Sequence, residues 1–414
     1  MQKDVFTTLK ERGYVYQTTD EAAIERLLSA DKPVTFYLGI DPTADSLHIG
    51  HFFALMVFRY LQDAGHKGIL LIGGATALVG DPSMKSDMRR MMSKDQVNYN
   101  LEEVKTLAKR FIKTDGDNPA LIVNNADWIL PYGYVDFMRD VGIHFNVNTM
   151  LAAEAYANRI KEGGLTFLEM GYMLMQAYDF IYLNKTYGCA LQIGGSDQWG
   201  NIVAGVTLNR KLNFAEGNEV TELFGLTNPL LLTKEGKKMG KSEQGTLWVA
   251  REKTTPYDFY QYFYNVADED VEMLLRLFTR VELGEIEDMV KRDIIKAKRV
   301  MAYEITALVH GRDEADKVLD AVSSLFGGGA SLENVPSVKA DKKALKAGIS
   351  VIDLFVASGL APTKSEARRL IQQGGAFVGD KKVESVDEKV SQADADGTVM
   401  LRKGKKNFVR IVFE

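Results

Sequence analysis

Residues 34–60 read VTFYLGIDPTADSLHIGHFFALMVFRY. Residues 34–39 are mostly β-branched, aromatic or aliphatic, and they predict a short strand. After a turn from Asp41 to Ser46, apolar residues recur at helical spacing from Ile49 to Tyr60, which predicts a helix that ends at Gly65. The stretch therefore indicates a strand that leads directly into a helix.

Three later apolar runs, residues 69–72, 120–123 and 190–193, repeat this alternation of strand and helix. Nearly every one of these strands is apolar on both faces, which is typical of a parallel sheet covered by helices on both sides. The predicted fold class is therefore α/β, with a Rossmann-like sheet. Ligands bind such sheets at the carboxyl ends of the strands. Loops with glycines and polar or acidic residues follow the strands there: Gly39 to Asp41, Gly73 to Asp81, Asn124 to Asp127 and Gly194 to Gln198.

Composition restricts the class of protein. The chain has 414 residues, 46% of them hydrophobic, which is enough for two or three domains. A single cysteine, Cys189, rules out an intramolecular disulfide framework and fits a reducing compartment. The N-terminal residues carry acids without an apolar run, and no stretch has the ~20 apolar residues of a membrane span. We therefore expect a cytoplasmic protein without a signal peptide or a membrane segment.

The rest of the chain divides by pattern. We predict a Rossmann-like catalytic domain over 1–250, a helical domain over 251–326, a linker over 327–348 and a small α+β domain over 349–414 with helices at 351–358 and 364–373. Residues 339–414 hold 15 Lys and Arg against 10 Asp and Glu, although the net charge of the chain is -5. A basic tail on an acidic body favours polyanion binding at the C-terminal end, with ordinary surface variation as the alternative.

The segment HIGH, His48 to His51, begins the predicted helix. A helix N-terminus offers free N–H groups and partial positive charge, which suit a phosphate, and the histidines add hydrogen-bond donors. Gly50 has no side chain, so a flat ring such as adenine could approach the backbone there. A solvated helix cap is the alternative interpretation.

A second candidate segment, KEGKKMGKSEQGT, begins at Lys234 and contains Lys238 and Lys241. Lysines in a glycine-bearing loop can close on a triphosphate and stabilise charge as it shifts. A solvated charged loop is the alternative for this segment alone.

HIGH and KMGKS, in this order on a parallel α/β pattern, resemble the two nucleotide signatures of class I aminoacyl-tRNA synthetases. Gly240 departs from the general KMSKS form, although tyrosyl enzymes tolerate glycine there. YLGIDPTADSLHIGH, GGATALVGDPSMKS, YMLMQAYDF and LQIGGSDQWGN are similar to bacterial-type tyrosyl-tRNA synthetases, and this resemblance covers essentially the whole chain. It implies activation of L-tyrosine by ATP to tyrosyl-adenylate, followed by transfer to the terminal ribose of tRNA(Tyr).

The resemblance also implies a tyrosine site. Tyr37 and Asp179 would meet the phenol hydroxyl, so that phenylalanine would leave two buried groups unpaired. Asp81, Tyr172 and Gln176 would accept from the ammonium group, and Gln198 would face the carboxylate. The spacings of Tyr172, Gln176 and Asp179 place all three on one face of one helix.

The implied nucleotide site needs no protein nucleophile, because the tyrosine carboxylate itself attacks the α-phosphate. Positioning and charge stabilisation would supply the catalysis. Mg²⁺ would arrive with ATP, and neither an all-protein metal site nor a tightly bound prosthetic group is expected. The candidate catalytic residues are Thr43, His48, His51, Lys85, Arg89, Lys238, Lys241 and Ser242. The candidate ATP-binding residues are Gly39, Asp41, Thr43, His48, Gly50, His51, Gly195, Asp197 and Lys241.

The resemblance implies that the helical domain over 251–326 binds the anticodon arm of the tRNA. The tail over 349–414 resembles an S4-type RNA-binding module, and its basic residues would bind tRNA phosphates. The candidates are Lys364, Arg368, Arg369, Arg402, Lys403, Lys405 and Lys406. We also expect a homodimer through residues 129–145, by the same resemblance. The alternatives are a tryptophanyl-type synthetase, which shares the fold, and a non-catalytic RNA-binding protein descended from a synthetase.

Overall fold

The computed structural model describes residues 4–82, 91–217, 221–242, 245–327, 337–342, 345, 348–379, 381–393, 397–404 and 407–413, with the side chains of 241–242 and 323–327 left out. These residues form two compact units. One contains Met1–Thr254 and Tyr262–Val309, and the other contains Thr255–Gln261 and His310–Glu414.

A six-stranded sheet forms the centre of the first unit, in the order β1-β6-β5-β2-β3-β4. All neighbours pair in parallel except the short edge strand β1, which is antiparallel to β6. The predicted α/β class is confirmed, and its four predicted strands correspond to β2, β3, β4 and β5. The bounds are β1 Gln17–Thr18, β2 Thr35–Ile40, β3 Lys67–Ile72, β4 Leu121–Asn124, β5 Cys189–Gly195 and β6 Phe224–Asn228.

The strand order explains where the site lies. The chain runs from β2 outward through β3 to β4 and then returns to place β5 on the other side of β2. At such a reversal the loops after neighbouring strands turn in opposite directions and leave a crevice at the carboxyl ends. In register, Tyr37 of β2 lies between Ile69 of β3 and Gln192 of β5.

Helices cover the sheet of the first unit and continue to residue 310, with residues 256–261 of α13 and residue 310 of α16 assigned to the second unit. The helix α3 buries its apolar face from Ile49 to Leu61, as its spacing predicts. The helix bounds are α1 Val5–Arg12, α2 Glu21–Leu28, α3 Ile49–Asp63, α4 Thr76–Val79, α5 Lys94–Ala108, α6 Ala126–Ile129, α7 Tyr134–Asp140, α8 Val147–Ala152, α9 Glu154–Glu162, α10 Phe167–Met170, α11 Tyr172–Tyr187, α12 Trp199–Glu216, α13 Pro256–Tyr264, α14 Asp268–Phe278, α15 Leu283–Arg292 and α16 Ile294–His310. Two short strands, β7 Lys241–Ser242 and β8 Gly245–Thr246, form a small hairpin between α12 and α13.

The second unit contains α17, Arg312–Gly327, and a five-stranded sheet in the order β12-β11-β14-β15-β9. Residues 337–340 lie in the segment predicted as a linker, yet they form β9, which pairs in parallel with β15. Their alternation of half-buried and exposed residues is typical of an edge strand, a signal too short to see in the sequence. The remaining bounds are β9 Ser337–Ala340, β10 Ile349–Ser350, α18 Val351–Ala357, α19 Lys364–Gln372, β11 Ala376–Val378, β12 Lys381–Lys382, β13 Lys389–Val390, β14 Thr398–Lys403 and β15 Asn407–Phe413.

No helix among the described residues is long and apolar enough to cross a membrane.

Candidate active site

The two histidines of HIGH form a reciprocal cap at the start of α3. Nδ1 of His48 accepts hydrogen bonds from the N–H groups of Gly50 (3.1 Å) and His51 (3.3 Å). The N–H of His48 in turn donates to Nδ1 of His51 at 3.3 Å. The rings stack with their centroids 3.7 Å apart. The spacing of three residues is therefore what lets each imidazole satisfy the other's backbone.

This cap fixes the chemistry of both rings. Burial, reinforced by the charge of Lys238, lowers the pKa of His48 to about 4. Burial, then His48 and Lys238, hold the pKa of His51 well below its ordinary value. Both rings are thus neutral at pH 7, and because Nδ1 accepts in each, the proton is assigned to Nε2. Each histidine therefore keeps one side-chain N–H donor, the kind of group that binds a phosphate oxygen.

The lysine loop, residues 231–240, connects to this helix start through main-chain hydrogen bonds. The N–H of Leu247 donates to the carbonyl oxygen of Gly240 (2.7 Å). The N–H of Ile49 donates to the carbonyl oxygen of Leu247 (3.3 Å). Lys238 is exposed, and its charge acts on both histidines. The fold therefore brings together the two segments that are far apart in sequence.

Gly240 has a structural reason to be glycine. Its φ is +83°, a left-handed conformation that side chains disfavour, and a Cβ there would lie 2.4 Å from Cγ2 of Ile49. Serine at this position would be strained by both effects in this arrangement of the loop.

The side chain of Asp41, which directly follows β2, connects this strand to α11 and α4 through hydrogen bonds. Its Oδ2 accepts from Oη of Tyr172 on α11 (2.8 Å), and its Oδ1 accepts from Oγ1 of Thr76 on α4 (2.6 Å). A Cβ on Gly73 would lie 1.9 Å from that Oδ1, so glycine is needed for the approach. The sequence assigned Asp41 to ATP and Tyr172 to tyrosine, whereas the structure joins the two side chains directly.

Tyr37 and Asp179 lie in the buried interior between β2 and α11, each 1% exposed. Asp179 accepts from Nδ2 of Asn125 (3.0 Å) and Nε1 of Trp128 (2.8 Å). Burial raises the pKa of Asp179 to about 7 and raises that of Tyr37 well above its usual range. Oη of Tyr37 has no hydrogen-bond partner among the described residues. A buried hydroxyl without a partner is costly, so this one is suited to a polar ligand group.

The loop after β5 carries the third group of side chains. Nε2 of Gln198 donates to Oδ2 of Asp81, which is 4% exposed, at 2.6 Å. A Cβ on Gly195 would lie 2.4 Å from Oδ1 of Asp197, so the glycine lets that carboxylate fold back over the strand end. Gln176 is half-buried on α11, on the same helix as Tyr172 and Asp179.

Residues 29–327 match the family described as class I tRNA synthetases for tryptophan and tyrosine. The chain belongs to this family. Residues 329–411 match the SYY-like C-terminal domain of tyrosine--tRNA ligases.

Similar proteins extend the comparison over the whole chain. A tyrosine--tRNA ligase of Clostridium kluyveri is 48% identical over 415 residues, which cover 99% of this chain and 100% of that one. A C-terminally truncated mitochondrial tyrosyl-tRNA synthetase of Aspergillus nidulans superposes with a TM-score of 0.69 at 30% identity, covering 78% of this chain and 95% of that one. A tryptophanyl-tRNA synthetase of Encephalitozoon cuniculi has a TM-score of 0.54 at 15% identity, covering 75% and 87%, which shows the fold alone.

Two residues of the pocket were not predicted from the sequence. Asn125 and Trp128 hold Asp179, and Asn125 also accepts from the N–H of Ala75 at 2.8 Å. Both lie in or beside the loop after β4, so the sequence indicates their position at a strand end, but not their contact with Asp179, which lies 54 and 51 residues further along the chain. Lys85 and Arg89 lie outside the described residues, as do the side chains of Lys241 and Ser242. Thr43 is exposed just beyond β2, and Gly39 is exposed at its end.

The basic residues of the tail lie on two elements. Lys364, Arg368 and Arg369 are exposed on α19, where Lys364 pairs with Asp353 at 2.7 Å. On β14 the guanidinium of Arg402 lies 3.9 Å from the ring centroid of Phe377, and Lys403 follows it. Lys405 and Lys406 lie outside the described residues.

Proposed function

We propose that this protein is a tyrosine–tRNA ligase. It activates L-tyrosine with ATP to tyrosyl-adenylate and pyrophosphate, and then transfers tyrosine to the 3′-terminal ribose of tRNA(Tyr). The observation that carries the amino-acid assignment is the unpartnered hydroxyl of Tyr37 in the same interior as Asp179. A phenol hydroxyl can donate to the carboxylate and accept from Tyr37 at once, so it satisfies both groups.

This pocket disfavours the tryptophanyl alternative. An indole has one N–H donor and no acceptor, so it would leave the Tyr37 hydroxyl or the carboxylate unsatisfied. Asn125 and Trp128 donate to Asp179 and favour its ionised form, which is the form that accepts from a phenol. Asp81, Gln176 and Gln198 then form the polar end for the ammonium and carboxylate groups.

The donors at the start of α3 and in the lysine loop support the ATP half-reaction. An oxygen of the tyrosine carboxylate attacks the α-phosphorus, the bond from phosphorus to the bridging oxygen breaks, and pyrophosphate leaves with the electron pair. His48 and His51 offer Nε2–H donors, α3 contributes its N-terminal partial charge, and the exposed Lys238 adds a cation. Mg²⁺ would enter as the complex with ATP, because it is commonly bound through substrate phosphates.

The exposed apolar side chains around α7 support a homodimer. Tyr134, Val135 and Ile143 are 66%, 65% and 75% exposed, and Leu130 and Val147 flank them. Large apolar side chains exposed this close together in sequence indicate an interface, and a second copy of the chain is our proposed occupant. Sedimentation of the parent and of an Ile143→Asp variant tests this: a parent that is monomeric at micromolar concentration contradicts it.

The RNA step rests on the tail, where the basic residues on α19 and β14 would bind phosphates. The cytoplasm is the proposed location, because the substrates of translation are there.

Pyrophosphate exchange into ATP, measured with each of the twenty amino acids in turn, tests the activity. We expect exchange with tyrosine alone. Exchange without a preference for tyrosine contradicts the pocket assignment. No exchange at all, with retained binding of tRNA, supports the non-catalytic RNA-binding alternative.

A further inference from the structure

Two side chains from outside the sheet hold the main chain of the lysine loop. Oη of Tyr262, on α13, accepts from the N–H of Gly240 at 2.8 Å. Oδ1 of Asp270, in the first turn of α14, accepts from the N–H of Lys234 at 2.8 Å. These two hydrogen bonds lie on either side of Lys238 in the chain, so together they fix both ends of the segment that carries it.

The loop has limited support of its own. Its internal hydrogen bonds close a narrow hairpin, from Thr233 N–H to Lys237 O (2.8 Å) and from Met239 N–H to Leu231 O (2.9 Å). Residues 234–238 between them are exposed, and the loop's buried apolar side chains, Leu231 and Met239, lie at its two ends. A hairpin of this size is not stable alone in water, so its position depends on what it is attached to.

The two residues that anchor the loop, Tyr262 and Asp270, lie on helices with buried side chains, and Phe263 next to Tyr262 is 1% exposed. Asp270 is 4% exposed, and its helix buries Val271, Leu274 and Leu275. Burial raises the pKa of Tyr262, so the hydroxyl stays protonated at neutral pH. From Gly240 the contact continues through Leu247 to Ile49, inside the HIGH segment. The anchors therefore define where Lys238 lies relative to His48 and His51.

We propose that Tyr262 and Asp270 are positioning residues for the ATP half-reaction, which hold the lysine loop where Lys238 can reach the phosphates of ATP. Neither residue touches the reacting atoms. The proposal rests on the proposed function and adds to it that Tyr262 and Asp270, both in the first unit, determine the geometry of the nucleotide site.

Tyr262→Phe removes one acceptor and keeps the ring. We expect the rate of adenylate formation at saturating tyrosine and fixed ATP to fall by about three- to tenfold, as is usual for one lost hydrogen bond. The dissociation constant for tyrosine should stay unchanged, because its pocket lies between β2 and α11. Trypsin should cut faster after Lys237 or Lys238, as located by mass spectrometry, because the loop is released at one end.

Two variants of Asp270 compare keeping with losing the acceptor for the N–H of Lys234. Asp270→Asn keeps an oxygen that can accept from Lys234, whereas Asp270→Leu keeps the size without the acceptor. We expect the Leu variant to show the lower rate and faster cleavage, and the Asn variant to stay close to the parent in both. Tyr99→Phe is the matched control, because Tyr99 is 56% exposed on α5, remote in sequence from the loop.

The outcomes separate the two proposals. If the parent forms tyrosyl-adenylate but Tyr262→Phe and Asp270→Leu match it in rate and in cleavage of the loop, the positioning role is wrong. If the variants only lower Tm, with equal losses in tyrosine binding and ATP use, their role is structural and the inference also fails. If the parent makes no adenylate, the proposed function fails, while the trypsin comparison still reports whether the anchors hold the loop.

Discussion

Gly240 lies against Ile49 so closely that a Cβ on the glycine would come within 2.4 Å of Cγ2 of the isoleucine. This contact joins the KMGKS segment to the HIGH segment through packing, in addition to the hydrogen bonds through Leu247. The glycine in the lysine signature is thus a requirement of this arrangement, although serine is the general residue there.

Gly240→Ala should therefore displace the lysine loop. We expect slower adenylate formation by roughly tenfold or more, because the loop must move away from Ile49 or adopt a strained φ costing about 1 kcal/mol or more. Tyrosine binding should be unchanged. Stopped-flow measurement of adenylate formation checks this.

Gly236→Ala is the matched control for that variant. Gly236 has φ +78° in the same loop, but a Cβ there meets no atom within 4 Å. Gly236→Ala therefore has the same conformational strain from a positive φ as Gly240→Ala, but no steric clash like the one with Ile49. Equal rates for the two variants would show that the contact with Ile49 does not matter.

A second prediction concerns Tyr37→Phe. The hydroxyl has no partner among the described residues, so its removal should leave Tm unchanged or slightly higher. Its partner is the substrate in our proposal, so the preference for tyrosine over phenylalanine in kcat/KM should fall, by about three- to tenfold for one hydrogen bond. Competitive pyrophosphate exchange measures this preference.

Tyr16→Phe, which alters a hydroxyl on a 62% exposed ring, is the control for Tyr37→Phe. A lower Tm with unchanged preference would mean that the Tyr37 hydroxyl supports the fold and does not meet the substrate.

Part of the fold and of the candidate site could be predicted from the sequence. The strands and α3 could be predicted because their signals are local: apolar runs, helical spacing and a glycine at the helix end. The reciprocal histidine cap is also local, since it needs only three residues. By contrast, Asp41 meets Tyr172 across 131 residues, and Asp179 meets Trp128 across 51. Periodicity carries no information about such pairs, because they depend on the order of strands in the sheet.

A third prediction uses the pKa of Asp179, raised by burial to about 7. The ionised carboxylate is the acceptor for a phenol, so tyrosine affinity should increase as pH rises through about 7. Trp128→Phe removes one of the two donors that favour the charged form, and therefore the midpoint should move upward by about one unit. Equilibrium dialysis of tyrosine between pH 5.5 and 9 measures both curves.

The control for Trp128→Phe is Tyr182→Phe. The Tyr182 ring stacks on Trp128 with centroids 4.3 Å apart, so the variant alters the neighbour and keeps the donor to Asp179. Its midpoint should match the parent. A flat pH profile in the parent would contradict the assignment of Asp179 as the titrating acceptor.

The fourth prediction separates the two roles of His48, cap and donor. His48→Asn supplies another good N-cap acceptor in place of Nδ1 but lacks the Nε2–H group. At pH 7.5 its free energy of unfolding should match that of the parent, while adenylate formation slows. His48→Ala removes both the cap acceptor and the Nε2–H donor. Adenylate formation should slow, and the free energy of unfolding should fall by about 1 kcal/mol. Urea unfolding with single-turnover rates measures the two effects side by side.

The pH dependence of His48→Asn is a separate test. The folded pKa of His48, about 4, lies below its unfolded value of 6.5, so the parent loses stability as pH falls from 6.5 toward 4. Asparagine does not titrate, so the variant should lose about 1 to 2 kcal/mol less than the parent between pH 6.5 and 5. His51 titrates in both proteins and largely cancels in the comparison. If the free energies of unfolding of parent and variant fall equally with pH across that range, the pKa of His48 in the folded protein is not lowered. The neutral Nε2–H donor assigned to His48 would then be wrong.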